Sequence, residues 1–200
     1  VAFDPAVIAK DRGQAVFSQT FLQFAGRMVE GYRLPKAAQL IKQNATTFQD
    51  IEQRYGVPAS VIVAFWGLET DFGKVMGKLP TLKSLATLAY ADQRRAKFGR
   101  TQLIAAMKIL QTGDIDRGHL TGSWAGAMGH TQFIPTSYQA YAVDMDGNGK
   151  RDIWNSVPDA LGTAANLLHR NGWQPGRTWG YEVQLPAGRK FPSGSLSAAE

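Results

Sequence analysis

Apolar residues recur at helical spacing over most of this 200-residue chain, and glycine-rich polar segments separate the runs. From about Pro5 to Asn44 the pattern passes through Phe17, Phe21 and Phe24 and then Ala38 and Ile41, predicting a helical entry segment. The stretch GVPASVIVAFWGLETDFG, from Gly56 to Gly73, places Pro58 where a first helical turn tolerates it and Gly73 where helices commonly stop. A further helical stretch runs from Thr81 to about Gln111, with apolar positions at Leu82, Leu85, Ala86 and Ala89 and later at Leu103, Ile104, Met107 and Leu110; a break is expected near Gly99. Between Gly113 and Tyr138 the glycines and Pro135 predict tight loops around a short helix. A turn-rich acidic loop, Asp144 to Trp154, leads into a helix from about Asp159 to Asn171, with Ala160, Ala164, Leu167 and Leu168 on one face and Gly172 as its cap. After Trp173 the pattern YEVQLPAG predicts a short strand, and a tail rich in Gly, Pro and Ser follows.

The expected fold class is therefore mainly α, in one domain over residues 1–200. A helical N-terminal lobe occupies 1–50, the core with its cleft occupies 51–175, and 176–200 begins a β-rich extension near the C-terminus. Nothing in the hydrophobic share of 44% or the charged share of 19% departs from an ordinary globular protein. Cysteine is absent, which excludes a disulfide framework, a thiolate metal site and a cysteine nucleophile. No apolar run reaches the roughly 18 residues of a membrane span. The chain opens at Val1 without a signal pattern, which predicts a trimmed N-terminus, and the tail reads as a chain cut short of a further lobe. A net charge of +6 favours a polyanionic partner without choosing one. Its only tight basic cluster, Arg94, Arg95, Lys97 and Arg100, is too sparse to indicate nucleic acid.

In the helix before Gly73, Ile62, Phe65, Trp66 and Glu69 stand at i, i+3, i+4 and i+7, so the carboxyl shares a face with three large apolar side chains and is expected to point inward. Such surroundings disfavour a carboxylate and raise its pKa, as a general acid near neutral pH requires. Spacing alone leaves two readings open, an inward acid or a rim carboxyl paired with Arg94 or Arg95. Asp71, two residues on, faces elsewhere. The glycine-rich segment with Ser123, Trp124, Gln132 and Tyr138 has the composition of a sugar cleft, though its aromatics are equally compatible with a core.

Three segments together, GLETDFG at Gly67 to Gly73, SWAGAMGHTQFIPTSY at Ser123 to Tyr138 and DMDGNGKRDIW at Asp144 to Trp154, resemble the motifs of the membrane-bound lytic transglycosylase B family, in the family's order. The resemblance implies a lysozyme-like, mainly helical catalytic domain that cleaves peptidoglycan between N-acetylmuramic acid and N-acetylglucosamine without water. Glu69 falls on the family's catalytic glutamate. It would first protonate the glycosidic oxygen and then, as carboxylate, accept the proton of the muramoyl 6-hydroxyl as that oxygen attacks C1, leaving a 1,6-anhydromuramoyl end. Ser123, Met128, Gln132, Phe133 and Tyr138 fall on the cleft-lining segment, and Arg94 with Arg95 on a paired-arginine position near the substrate. Ordinary glycosidases need a second carboxylate, and none presents itself beside Glu69. Asp114 and Asp116 keep a hydrolytic muramidase open as an alternative, as does a non-catalytic peptidoglycan-binding protein.

The acidic loop matches the first half of a calcium-loop pattern, with Asp144, Asp146 and Asn148 at positions 1, 3 and 5 and Gly149 at the turn. Position 12 is Asn155 in place of glutamate. Lys150, Asp152 and Asp159 complete the expected ligand set, and the alternative is a polar turn in which Asp and Asn bond their own backbone. No cofactor is expected in the chemistry, and calcium would brace the 144–159 loop. His119, His130 and His169 have neither zinc nor triad spacing; His130 lies within the cleft motif. The expected partners are peptidoglycan strands and cell-wall enzyme complexes, with no nucleic acid. The chain is expected to act as a monomer in the bacterial periplasm, with attachment to the outer membrane left open.

Overall fold

The structure, a computed structural model of the chain, describes residues 3–13, 20–29, 31–91, 93–178, 180, 183–184 and 186–188. Among them the elements follow the order α1 (Pro5–Arg12), α2 (Phe21–Met28), α3 (Arg33–Gln43), α4 (Ala45–Tyr55), α5 (Ala59–Thr70), β1 (Leu79–Pro80), α6 (Thr81–Ala91), α7 (Ala96–Thr112), β2 (Thr121–Gly122), α8 (Pro135–Tyr141) and α9 (Val157–Arg170). The protein is mainly α, as the sequence pattern predicts.

Local chemistry sets several of the helix ends. Asp4 accepts a bond from the Ala6 amide at 3.0 Å and starts α1. Thr20 and Gln23 form a reciprocal capping box on α2, at 3.3 and 3.0 Å. Gly56, at φ 69°, closes α4 in the left-handed conformation that lacks a steric penalty only for glycine. The Ser156 hydroxyl caps α9, and a proline occupies its first turn.

The centre of the molecule is α5. Glu69 is the one charged residue among its twelve, so the helix can be packed from most sides. It contacts α3, α4 and α9. Ile62, Val63 and Trp66 are buried in a core shared with Ile51 of α4, Leu85 of α6, Met128, Tyr138 of α8, Ile153 and Leu161 of α9. Leu40 of α3 and Phe48 of α4 enter the same core, so the helices expected as an N-terminal lobe are continuous with it. Phe24 remains partly exposed, and Phe17 lies outside the described residues.

Two local expectations are corrected. The break in the long helical stretch falls between Ala91 and Ala96, and Gly99 sits inside α7. Here glycine permits close approach: a Cβ at position 99 would stand 2.5 Å from the backbone nitrogen of Ala89, which is why α6 and α7 can pack so tightly. The two-stranded antiparallel sheet lies in the body of the domain, pairing Leu79 with Gly122 and Pro80 with Thr121. The strand expected over YEVQLPAG lies partly outside the described residues, and Val183 and Gln184 within it carry no strand.

Gly99→Ala tests that close approach. Helix propensity alone would favour alanine by about 1 kcal/mol, whereas a side chain forced against backbone costs about 1–3 kcal/mol. The substitution is expected to lower the thermal unfolding midpoint; a raised midpoint would refute the packing argument.

Candidate active site

Glu69 stands on the last turn of α5 and faces a cavity of about 160 Å³. Phe65, one turn earlier, lines the same wall. Thr131, Gln132, Phe133 and Ile134 form the facing wall, Ser137 of α8 lies beside them, and Ala164 and Leu167 of α9 close the end. Among the lining residues Glu69 is the sole ionisable side chain. Sequence spacing placed Glu69 inward with all three apolar neighbours, and the structure corrects this. Ile62 and Trp66 are buried, while Phe65 and Glu69 share the accessible face. Water reaches the exposed Glu69 carboxyl through the mouth of a concave site, whose walls desolvate it in part. This one-sided desolvation raises its pKa above the ordinary glutamate range.

Beyond Glu69 the chain turns through two non-glycine residues with positive φ, Asp71 at 51° and Phe72 at 59°. Such conformations persist only where the surroundings impose them. Asp71 accepts a bond from the Tyr32 hydroxyl at 2.5 Å and ion pairs with Lys74 at 3.2 Å and with Arg33 at 3.7 Å. The Tyr32 bond, helped by those cations, holds its carboxyl below the ordinary range despite burial. Phe72 packs edge-on against Trp66 with ring centres 5.9 Å apart. Asp71 is therefore a structural clamp that faces away from the cavity, as its spacing predicts.

The facing wall is a folded loop. Met128 bridges both Gly122 and Phe133 in antiparallel fashion, and Gln132 adopts φ 53°. The Gln132 amide nitrogen donates to the carbonyls of Met76 and Gly129, both at 3.1 Å, which fixes the side chain at the cavity edge. Of the cleft residues that the family resemblance implied, Gln132 and Phe133 meet Glu69's cavity. Met128 and Tyr138 are fully buried and lie beneath it, with the Tyr138 hydroxyl donating to the Arg151 carbonyl at 2.6 Å. The Ser123 hydroxyl accepts a bond from the Ala127 amide at 3.1 Å and lies outside the cavity lining.

Arg94 and Arg95 meet a protein carboxylate. They bind Asp11 at 2.5 and 3.1 Å, and that carboxylate is fully covered. Arg95 also lies over the Trp124 ring, 5.7 Å from its centre. The pair thus anchors α1 to the turn between α6 and α7. Phe65, Ser137 and Leu167 are cavity residues that sequence reasoning assigned to apolar packing or passed over. For Phe65 the signal was its spacing four residues before Glu69; for Ser137 and Leu167 only the fold supplies one.

The other acids lie elsewhere. Burial would raise Asp114, but the Arg151 guanidinium at 2.6 Å and the Thr112 hydroxyl, also at 2.6 Å, outweigh it and hold the carboxyl below the ordinary range. Asp116 is exposed and binds His119 at 2.5 Å. Both line a separate depression, with Lys150, Asp152 and Asn155.

In the acidic loop, ligand-type oxygens of Asp144, Asp146 and Asp159 all lie within 4.8 Å of one another. Asp144 accepts from the amides of Gly147, Asn148 and Gly149, and buried Asp159 from those of Met145, Asp146 and Asp152. Burial raises the pKa of Asp159. The crowding of three acids, one of them desolvated, fits a hard cation bound by oxygen. The remaining expected ligands are engaged locally: Asp152 with Trp154 and Asn155, and the Asn148 side chain with the Lys150 amide.

A mainly helical domain whose central helix presents one glutamate to a cleft has a lysozyme-like fold. The comparisons name the family: the transglycosylase SLT domain model matches residues 1–198, and the chain belongs to that family. It is 44% identical over 124 residues to membrane-bound lytic murein transglycosylase B of Escherichia coli (strain K12), an alignment covering 62% of this chain and 34% of the relative. The crystal structure of SltB3 from Pseudomonas aeruginosa in complex with NAG-NAM-pentapeptide superposes with a TM-score of 0.89 at 46% identity, over 94% of this chain and 50% of that one. The Escherichia coli lytic transglycosylase Slt35 in complex with calcium gives 0.79 at 32% identity, over 88% and 55%. The chain thus spans from about a third to about half of the length of these relatives.

Asp114→Asn separates structure from chemistry. Weakening a buried, charge-assisted bond to Arg151 is expected to cost about 1–3 kcal/mol in urea unfolding and to leave any glycan-cleaving activity of the folded protein unchanged. A loss of turnover without a loss of stability would move Asp114 into the reaction.

Proposed function

We propose that this domain is a lytic transglycosylase that cuts the β-1,4 bond between N-acetylmuramic acid and N-acetylglucosamine, with Glu69 as its single acid and base. The observation that carries the reading is the solitary desolvated carboxyl in the cavity. Protonated Glu69 gives its proton to the glycosidic oxygen as the bond to muramoyl C1 breaks, and the leaving sugar departs with a free 4-hydroxyl. The muramoyl 6-oxygen bonds to C1, and its proton returns to the Glu69 carboxylate. The reaction consumes no water and restores the acid. A hydrolase would need a second carboxylate at a set separation to activate water or attack the sugar; Asp71, Asp114 and Asp116 are all bound elsewhere. Phe65 offers an apolar face to a sugar ring, and Gln132 and Ser137 offer polar groups to its substituents. Action on this substrate would take place in the bacterial periplasm. Among the described residues no helix is long and apolar enough to cross a membrane.

Asp144, Asp146 and Asp159 are the residues that would hold a calcium ion, which would brace the loop and take no part in bond cleavage.

Mass spectrometry of digested peptidoglycan is expected to show anhydromuramoyl ends, each one water lighter than a reducing end; reducing ends would replace this reading with hydrolysis. Glu69→Gln is expected to lower turnover by about 10²- to 10⁴-fold. The fold favours the protonated glutamate, so its stabilising contribution is complete below the ordinary glutamate pKa and is lost as pH rises through the raised value. Glu69→Gln is therefore expected to melt higher than the parent at neutral pH and to lose that advantage in acid. Calcium is expected to raise the parent's melting temperature and to leave that of Asp144→Ala unchanged.

A further inference from the structure

We propose that His130 is a positioning residue, one that sets the distance between the two walls of the Glu69 cavity by bonding the catalytic helix at the turn that carries Glu69. This rests on the assignment of Glu69 above. His130 belongs to the facing loop, two residues before Gln132. Its ring receives the Trp66 indole N–H at Nδ1, at 3.0 Å, and its main-chain carbonyl receives the Thr70 hydroxyl at 2.6 Å. Trp66 and Thr70 lie three residues before and one residue after Glu69, so these two bonds bracket the acid on its own helix. The main-chain amide of His130 donates to the Ile153 carbonyl at 3.0 Å, which ties the same residue to the acidic loop.

The ring has little freedom. A Cβ on Gly73 would stand 2.4 Å from both Cε1 and Nδ1, so the imidazole fills the space that glycine leaves. Trp66 meets it edge-on, at 5.7 Å between centres and 71° between planes. An indole nitrogen only donates, so Nδ1 must be the unprotonated nitrogen. The proton is therefore on Nε2.

No atom of His130 lines the cavity, so its effect is exerted through the helix and the loop. A carboxyl that must give a proton to one oxygen and take one from another is sensitive to displacement, and a shift of about 1 Å can cost up to about 10²-fold. His130→Phe keeps the ring's bulk and removes the acceptor. His130→Gln restores an acceptor, the side-chain carbonyl, together with an N–H donor.

The test measures kcat and KM on purified glycan strands for the parent, His130→Phe and His130→Gln, with circular dichroism to establish that each is folded. The expected result is a 10- to 100-fold loss of kcat in His130→Phe with KM within about twofold, and recovery of most of that loss in His130→Gln. Nitrogen-15 NMR supplies a readout independent of activity: Nδ1 of His130 should resonate as an unprotonated nitrogen, and the Trp66 indole proton, assigned by its absence in Trp66→Phe, should shift upfield in His130→Phe and return in His130→Gln. An unchanged kcat in folded His130→Phe, or a glutamine variant no better than the phenylalanine one, would overturn the proposal. If the indole shift behaves as expected while Glu69→Gln retains activity, the bond stands and the assignment of Glu69 fails.

Discussion

The site depends on a division along one helix. Ile62, Val63 and Trp66 of α5 are buried almost completely, while Phe65 and Glu69 face a cleft. A carboxyl on a fully solvated helix would be ionised near neutral pH, and one sealed in the core could not reach a substrate. The open mouth of the cavity gives access, and the surrounding walls supply the partial desolvation that raises the carboxyl's pKa. The elements packed on α5 include α3 and α4, and sequence patterning assigned α3 and the part of α4 before residue 51 to an N-terminal lobe.

Holding that division takes strain, and the strain is localised. Of the three non-glycine residues with positive φ among those described, Asp71 and Phe72 form the turn that ends the Glu69 helix, and Gln132 lines the cavity. Each is held by side-chain interactions as well as by backbone. Tyr32, Arg33 and Lys74 bind the Asp71 carboxylate, Trp66 packs on Phe72, and two carbonyls hold the Gln132 amide. A loop of glycines and small residues could adopt many conformations, and these bonds select the one that completes the cleft.

Much of this was legible in the sequence, for identifiable reasons. The helix bearing Glu69 showed itself through apolar spacing between Pro58 and Gly73, and the direction of its pKa shift, upward by desolvation, was also legible. The orientation was less legible, because Phe65 and Trp66 are adjacent in the same hydrophobic stripe yet only one is buried; which side of a stripe is open depends on α9 and the 131–134 loop, far away in the chain. Arg94 and Arg95 show the same limit. Their charge suggested a ligand, but their partner is Asp11, more than 80 positions away. The short strand pair was missed since two residues per strand give no alternation to read.

The acidic loop and the helix that carries Glu69, separate motifs in the sequence, are joined by a short run of bonds. The buried Asp159 carboxylate holds the Asp152 amide at 2.8 Å, the next residue, Ile153, accepts the His130 amide at 3.0 Å, and the His130 ring accepts the Trp66 indole at 3.0 Å. Each link is a group with its partner already in place, so none needs to reorganise when a substrate enters. This gives a mechanical reason for an acidic loop outside the cavity to accompany the site. Its three gathered acids crowd one another, and a cation bound among them would act on the segment that meets His130.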